Sequence, residues 1–181
     1  MKKLIDIPFE LDVVSIARTV HVEPDSPDGQ TLCELIAKAR QVARPKALYK
    51  EAFIDGKGAD TVTVEGVTFT SRMLRANLDR VERVFPFVAT CGHEMDTVTL
   101  PTGDLLAEFW WDAIKAVLLG AAIRHFSERL KQRFALGKTS SMSPGSGDVD
   151  VWPIEQQREL FALLGDVKGQ IGVELTESFL M

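Results

Sequence analysis

Along DLLAEFWWDAIKAVLLGAAIRHFSERLKQRF, residues 104 to 134, apolar side chains return at helical spacing: Leu106, Trp110, Ala113, Val117, Ala121 and Phe126. Asp104 stands at the start, where a short acid side chain caps exposed amide groups. At a rise of 1.5 Å per residue the segment makes a helix roughly 45 Å long, enough to act as the spine of a molecule this size. Its most apolar part, 105 to 123, still contains Glu108, Asp112 and Lys115. Each such charge costs roughly 2.5–3.5 kcal/mol at bilayer depth, so the segment reads as a core helix rather than a membrane span. Phe109, Trp110 and Trp111 read as core, and His125 as an ordinary helix residue.

The remaining segments supply partners for that spine. MKKLIDIPFELD is broken by Asp6, Pro8, Glu10 and Asp12, so it lacks the unbroken apolar run of a signal peptide and reads as a first strand. The turn formers of EPDSPDGQ end that region. Asp28 or Thr31 then caps a helix through about Ala43, with Leu32, Leu35, Ile36 and Ala39 on one face, and Pro45 stops it. TVTVEGVTFTS alternates Val62, Val64, Val67 and Phe69 with polar neighbours, a strand pair turning at Gly66. SRMLRANLDRV reads as a short helix and RVFPFVATCG as an apolar strand ending in a turn. Beyond the long helix come Gly137 as its C-cap, a helix from about Ile154 to Leu164, and a last strand in IGVELTESFLM. Hairpin-like turns among interspersed helices place the chain in the α+β class, as one domain over 1–181 whose residues 1–45 form a strand-plus-helix N-terminal part.

Charge and cysteine content narrow the chemistry. The net charge is −5, and the Lys and Arg residues are interleaved with acids as in SERLKQR, so no basic stripe suits nucleic acid. Cys33 and Cys91 form neither a disulfide framework nor a CxxC pair, which fits a reducing cytoplasm. GKTSS at 137–141 imitates the end of a phosphate-binding loop, but Gln132 holds the place of the required glycine and the segment closes a helix instead of opening one. GKG at 56–58 has Thr61 where a dinucleotide fingerprint needs its third glycine. CGHE at 91–94 gathers a thiol, an imidazole and a carboxylate. Neither the base of a cysteine nucleophile nor two further metal ligands stand at a suitable spacing.

What remains is SSMSPGSGD, residues 140 to 148, between the long helix and the next one. It has no side chain for strong acid, base or metal chemistry. It is either a plain connector or a place where a ligand meets bare backbone, a common use of glycine. FVATCGHEMD, DAIKAVLLGAAI, SMSPGSGD, WPIEQQRELFALL and IGVELTESFLM, in this order, resemble the activation domain of cobalamin-dependent methionine synthase, and more closely its stand-alone relatives found beside corrinoid proteins. The likeness covers about the last hundred residues well, and EGVTFTSRMLRANLDRVERV more loosely.

That resemblance implies a twisted antiparallel sheet flanked by helices, with the 104–134 helix at its centre. It implies binding of S-adenosylmethionine, whose methyl group is offered to a corrinoid carried by a partner protein or domain. In such a system cob(I) is occasionally oxidised to inactive cob(II), and one-electron reduction coupled to methylation restores methylcobalamin, with a flavodoxin- or ferredoxin-type reductant as the electron source. The cobalt and the sulfonium carry the chemistry while the protein positions them. By the same resemblance Ser143 and Gly145, beside Pro144, present backbone to the ligand, and Glu128 faces its amino group or sulfonium. Ser141 and Ser146 stand where the family has Arg and Tyr, and a serine cannot supply the bidentate fork that an Arg makes with a carboxylate. The family continues beyond the position of Met181 through a Pro- and Ser-rich segment. The competing expectation is a docking module for a corrinoid protein that keeps the fold and has lost S-adenosylmethionine.

The cysteine and histidine inventory predicts that no metal is needed for folding. Dialysis against a chelator should leave the protein folded. Stoichiometric zinc or iron that survives it, and disappears in Cys91→Ser, would contradict this expectation.

Overall fold

The computed structural model describes residues 1–146 and 151–177. It is an α+β protein with antiparallel strand pairing and one helix of 30 residues. Two compact units divide the chain: Leu4–Ala47 with Ala89–Ala135, and Met1–Lys3 with Leu48–Val88 and Leu136–Met181. They are called the helical unit and the sheet unit. No helix among the described residues is long and apolar enough to cross a membrane.

In the helical unit, α1 (Val13–Thr19) packs on α2 (Pro27–Val42), which packs on α4 (Leu105–Phe134). Asp104 caps α4 by accepting from the Ala107 amide at 3.0 Å. Leu11, Ile16, Leu32, Leu35, Ile36, Ala39, Met95 and the first half of α4 make the core. The α4 side chains that enter it are Ala107, Trp110, Trp111, Ile114 and Leu118, and the buried stripe continues through Ala122, Phe126 and Leu130. Trp110 and Trp111 are each 3% exposed, and the Trp111 indole donates to the Met95 carbonyl at 3.1 Å. Phe109 and Leu106, expected on the buried face, are 57% and 55% exposed. The helix has two overlapping apolar faces, and packing selected the one that carries both indoles.

The sheet unit contains a four-stranded antiparallel sheet in the order β5-β4-β3-β6, from β3 (Ala52–Lys57), β4 (Thr61–Val64), β5 (Val67–Thr70) and β6 (Arg83–Val84). Val62 opposes Phe69 and Val64 opposes Val67, so the expected alternation places both pairs in register about the Glu65–Gly66 turn. Ala52, Val62, Val64 and Phe69 form a core with Trp152 and Leu163, beside α3 (Arg72–Asn77) and α5 (Gln157–Leu164). Leu48, Val88, Leu164, Val167 and Ile171 form a second cluster. The strands β1 (Lys2–Leu4), β2 (Lys46–Tyr49) and β7 (Phe87–Thr90) make a three-stranded sheet in the order β1-β2-β7.

Local caps account for the remaining departures from expectation. The first strand ends at Leu4, and Asp12 starts α1 by accepting from the Val14 and Ser15 amides at 3.2 Å each. Ser26, not Asp28 or Thr31, caps α2: its hydroxyl accepts from Gly29 while Pro27 supplies a preset φ at the first helical position. Helix α4 closes on Ala135 in the left-handed region rather than on Gly137. A short helix, α6 (Val167–Ile171), capped by Asp166 and closed by Gly172 at φ +78°, precedes the segment of the expected last strand and shares only Ile171 with it. Val173–Glu177 form no strand, and Ser178–Met181 lie outside the described residues.

Since Trp110 is buried and Phe109 exposed, neighbouring aromatic residues should respond oppositely to truncation. Trp110→Ala should cost about 3–5 kcal/mol, and Phe109→Ala within about 0.5 kcal/mol of zero. Urea titration of both variants checks the assignment of faces.

Candidate functional site

The loop after α4 belongs to the sheet unit, and its sequence explains how it is held there. Pro144 is buried, while Ser141, Ser143, Gly145 and Ser146 are exposed and Met142 is half-buried. Gly145 adopts φ +82°, a conformation that costs a side-chain-bearing residue free energy. A Cβ there would also meet the Ile154 side chain at 3.0–3.2 Å. The missing side chain of Gly145 therefore makes room for the protein's own isoleucine. Gly147 to Asp150 lie outside the described residues.

Hydrogen bonds close the loop on itself. The Gly145 amide donates to the Trp152 carbonyl at 2.8 Å. The Ser143 carbonyl accepts from the Ser146 amide at 3.1 Å and from the Ser146 hydroxyl at 2.7 Å. Asn77, the last residue of α3, reaches the Met142 sulfur with its side-chain amide. The Ser71 hydroxyl donates to the Val151 carbonyl and accepts from the Leu74 amide, serving as both loop anchor and α3 cap.

The strongest anchor is Gln156. Its Oε1 accepts from the Thr70 amide at 2.9 Å and from the Trp152 indole at 3.0 Å, and its Nε2 donates to the Thr70 carbonyl at 2.8 Å. One carboxamide thus pairs with both backbone groups of Thr70, as a neighbouring strand would, at the outer strand of the four-stranded sheet. Trp152 meets Phe69 edge to face, with ring centroids 5.9 Å apart. Gln156 and Trp152 were not among the expected site residues. Their i, i+4 spacing within WPIEQ was the available signal.

Ser141, Ser143, Pro144, Gly145 and Ser146 are thus together on one pinned loop. Glu128 is exposed on α4 and belongs to the helical unit. The described residues do not by themselves make a site that fits S-adenosylmethionine. The Ser143 carbonyl and the Gly145 amide, two of the backbone groups expected to meet the ligand, already have partners within the loop. No positive side chain occupies position 141, and Ile154 fills the space beside Gly145.

The side chains of the CGHE segment have structural partners. Burial pushes the Cys91 thiol upward, helped by Asp96 and opposed by Lys115, which disfavours the thiolate needed for nucleophilic attack. Gly92 sits at φ +102°, with the Arg44 carbonyl 2.7 Å from where a Cβ would be. For Glu94, desolvation acts upward, but a backbone hydrogen bond and the Lys46 ammonium at 3.1 Å outweigh it and hold the carboxyl below its usual range. The stability from that lowered value is present above the ordinary carboxylate range and is lost as pH falls through the folded-state value. No group of three or more metal-ligating side chains occurs among the described residues.

Two open grooves mark the helical unit, about 420 Å³ beside Thr31, Glu34, Lys38, Leu100 and Pro101, and about 610 Å³ beside Phe9, Glu10, Asp12 and Arg40. Neither includes a residue of the loop. Comparison of the sequence with known protein families finds no match, and comparison with curated proteins finds none.

The loop's position should depend on Gln156 more than on any serine within it. Gln156→Leu removes three hydrogen bonds and should cost about 1–3 kcal/mol, water replacing part of the loss because the side chain is only half-buried. Ser141→Ala should fall within about 0.5 kcal/mol of zero. Thermal unfolding followed by Trp fluorescence compares them.

Proposed function

We propose that this protein is an accessory factor of corrinoid-dependent methyl transfer, related to the domain that binds S-adenosylmethionine for reductive reactivation of cob(II)alamin. The observation that carries this reading is the joint arrangement of SMSPG, WPIEQQRELFALL and the β5–α3 segment. Three of the pieces on which the resemblance rests, SMSPG, WPIEQQRELFALL and the looser EGVTFTS, are bonded into one assembly through Gly145, Trp152, Gln156 and Thr70. That assembly presents four exposed small residues on an anchored loop, with little conformational freedom left to lose when a ligand or partner meets them. The partner in this reading is a corrinoid-binding protein or domain, with a flavodoxin- or ferredoxin-type reductant supplying the electron. If the protein binds S-adenosylmethionine, the activity is of the methyltransferase type.

The internal pairing of Ser143 and Gly145 favours a second reading. A loop whose Ser143 carbonyl and Gly145 amide are already paired offers a partner protein a firm surface and offers a small ligand fewer free groups. Here the protein is a docking module for a corrinoid protein and has no methyl donor of its own.

Calorimetry with S-adenosylmethionine separates the two. Under the first reading the native protein binds, and Ser141→Arg with Ser146→Tyr binds more tightly through an added carboxylate fork and aromatic wall. Gly145→Val is unsuitable as the test, because its φ and Ile154 would displace the loop whatever it binds. Heat-silent titrations of both the native protein and the double variant would leave docking as the function.

A further inference from the structure

Strand β5 is the outer strand of the four-stranded sheet, and an outer strand carries backbone groups with which a further strand can pair. The turn before it decides which groups those are. Glu65 and Gly66 both have positive φ, as a two-residue hairpin turn of type I′ requires. Such a turn makes its flanking residues, Val64 and Val67, a hydrogen-bonded pair. Bonded and non-bonded pairs then alternate: Val62 with Phe69 is bonded, whereas Thr63 with Thr68 and Thr61 with Thr70 are not. The amides and carbonyls of Thr68 and Thr70 therefore point away from β4, to the open side of the sheet.

The two threonines differ in what meets them there. Both outward groups of Thr70 pair with the Gln156 carboxamide, at 2.9 and 2.8 Å, and the Trp152 indole holds that carboxamide in place. The outward groups of Thr68 have no partner among the described residues, and Thr68 is exposed. Edge strands are ordinarily kept from pairing by charges, prolines, bulges or shortness. The sequence of β5, VTFT, is short, but it has no charge and no proline, and its register with β4 is unbroken. Its β-branched and aromatic residues favour an extended strand.

We propose that Gln156 is an intramolecular block on strand addition at β5. Its carboxamide occupies one of the two outward-facing residues, about 7 Å along the strand from the other. With Gln156 in place an incoming strand can pair only with Thr68. The hydrogen bonds available there do not offset the entropy lost in ordering an added strand. Once the carboxamide is removed, β5 can pair with itself in a second copy. Antiparallel strands centred on Phe69 set Thr68 of each chain opposite Thr70 of the other, one patch serving both sides of a two-fold contact. The side chain that fixes the loop thus also keeps the sheet from continuing into another molecule.

Hydrogen exchange on the native protein and sedimentation of variants over a concentration series test the block. In the native protein the Thr70 amide should exchange about tenfold more slowly than the Thr68 amide, relative to their intrinsic rates, as one net hydrogen bond implies. Gln156→Ala should add larger species as concentration rises, with the Thr68 and Thr70 amides both protected in them. Gln156→Glu also loses the donor to the Thr70 carbonyl, yet it keeps an acceptor for the Thr70 amide and places a charge at the edge. Its sedimentation should match that of the native protein. Adding Thr68→Pro to Gln156→Ala removes an outward amide that the hairpin does not use, and should restore the native profile. Circular dichroism verifies the helix content of each variant. A Gln156→Ala protein that sediments like the native one overturns the proposal. So does association that Thr68→Pro leaves intact or that Gln156→Glu shows equally. If Gln156→Ala does not fold, the native exchange rates decide, and equal protection of Thr68 and Thr70 overturns the block.

Discussion

A thirty-residue helix must find cover for whatever apolar surface it carries, and the way α4 does so organises the helical unit. From Ile114 the buried residues step by four, through Leu118, Ala122, Phe126 and Leu130. Four residues exceed one helical turn by about 40°, so the buried stripe winds around the helix by roughly 160° over that length. At its start the stripe takes in both Trp110 and Trp111, each nearly sealed from solvent. Burying two adjacent indoles on one side commits the first half of the helix to a single orientation. Leu105, Leu106 and Phe109 are left outside as a consequence of that commitment.

The loop after α4 obeys a different constraint, the need to satisfy backbone groups where regular structure has ended. The Gln156 carboxamide supplies Thr70 with the pairing a further strand would give, and the same oxygen holds the Trp152 indole. Trp152 then receives Gly145 through its carbonyl and Phe69 through its ring. Ser143, Gly145 and Ser146 therefore have structural assignments before any ligand is considered. The Ser143 carbonyl and the Gly145 amide are groups the loop uses to hold its own shape.

The same economy of partners governs CGHE. A thiol, an imidazole and a carboxylate within four residues suggest reactivity, yet burial disfavours the thiolate and Lys46 engages the carboxylate. The segment turns the chain from β7 into the 3₁₀ turn at His93–Thr97, whose Met95 carbonyl receives the Trp111 indole. Its polar side chains tie that turn to the helical unit.

Periodicity and capping chemistry determined the long helix with its Asp104 cap, the Val62–Phe69 hairpin, the short helix after Ser71 and the helix ending at Leu164, because those signals depend on residues within one or two turns of each other. The α+β class followed from them. Tertiary structure alone decided which apolar face of α4 is buried, because Leu106 and Ala107 fit a helical stripe equally well until a neighbour occupies one side. It also decided that IGVEL forms no strand, since a strand exists only where a partner offers its backbone, while Asp166 and Gly172 define a helix locally. The candidate loop was visible in sequence as a run of small residues around Pro144. That its glycine accommodates Ile154, and that Gln156 holds the whole loop to Thr70 across 86 positions of sequence, are long-range contacts which no local pattern encodes.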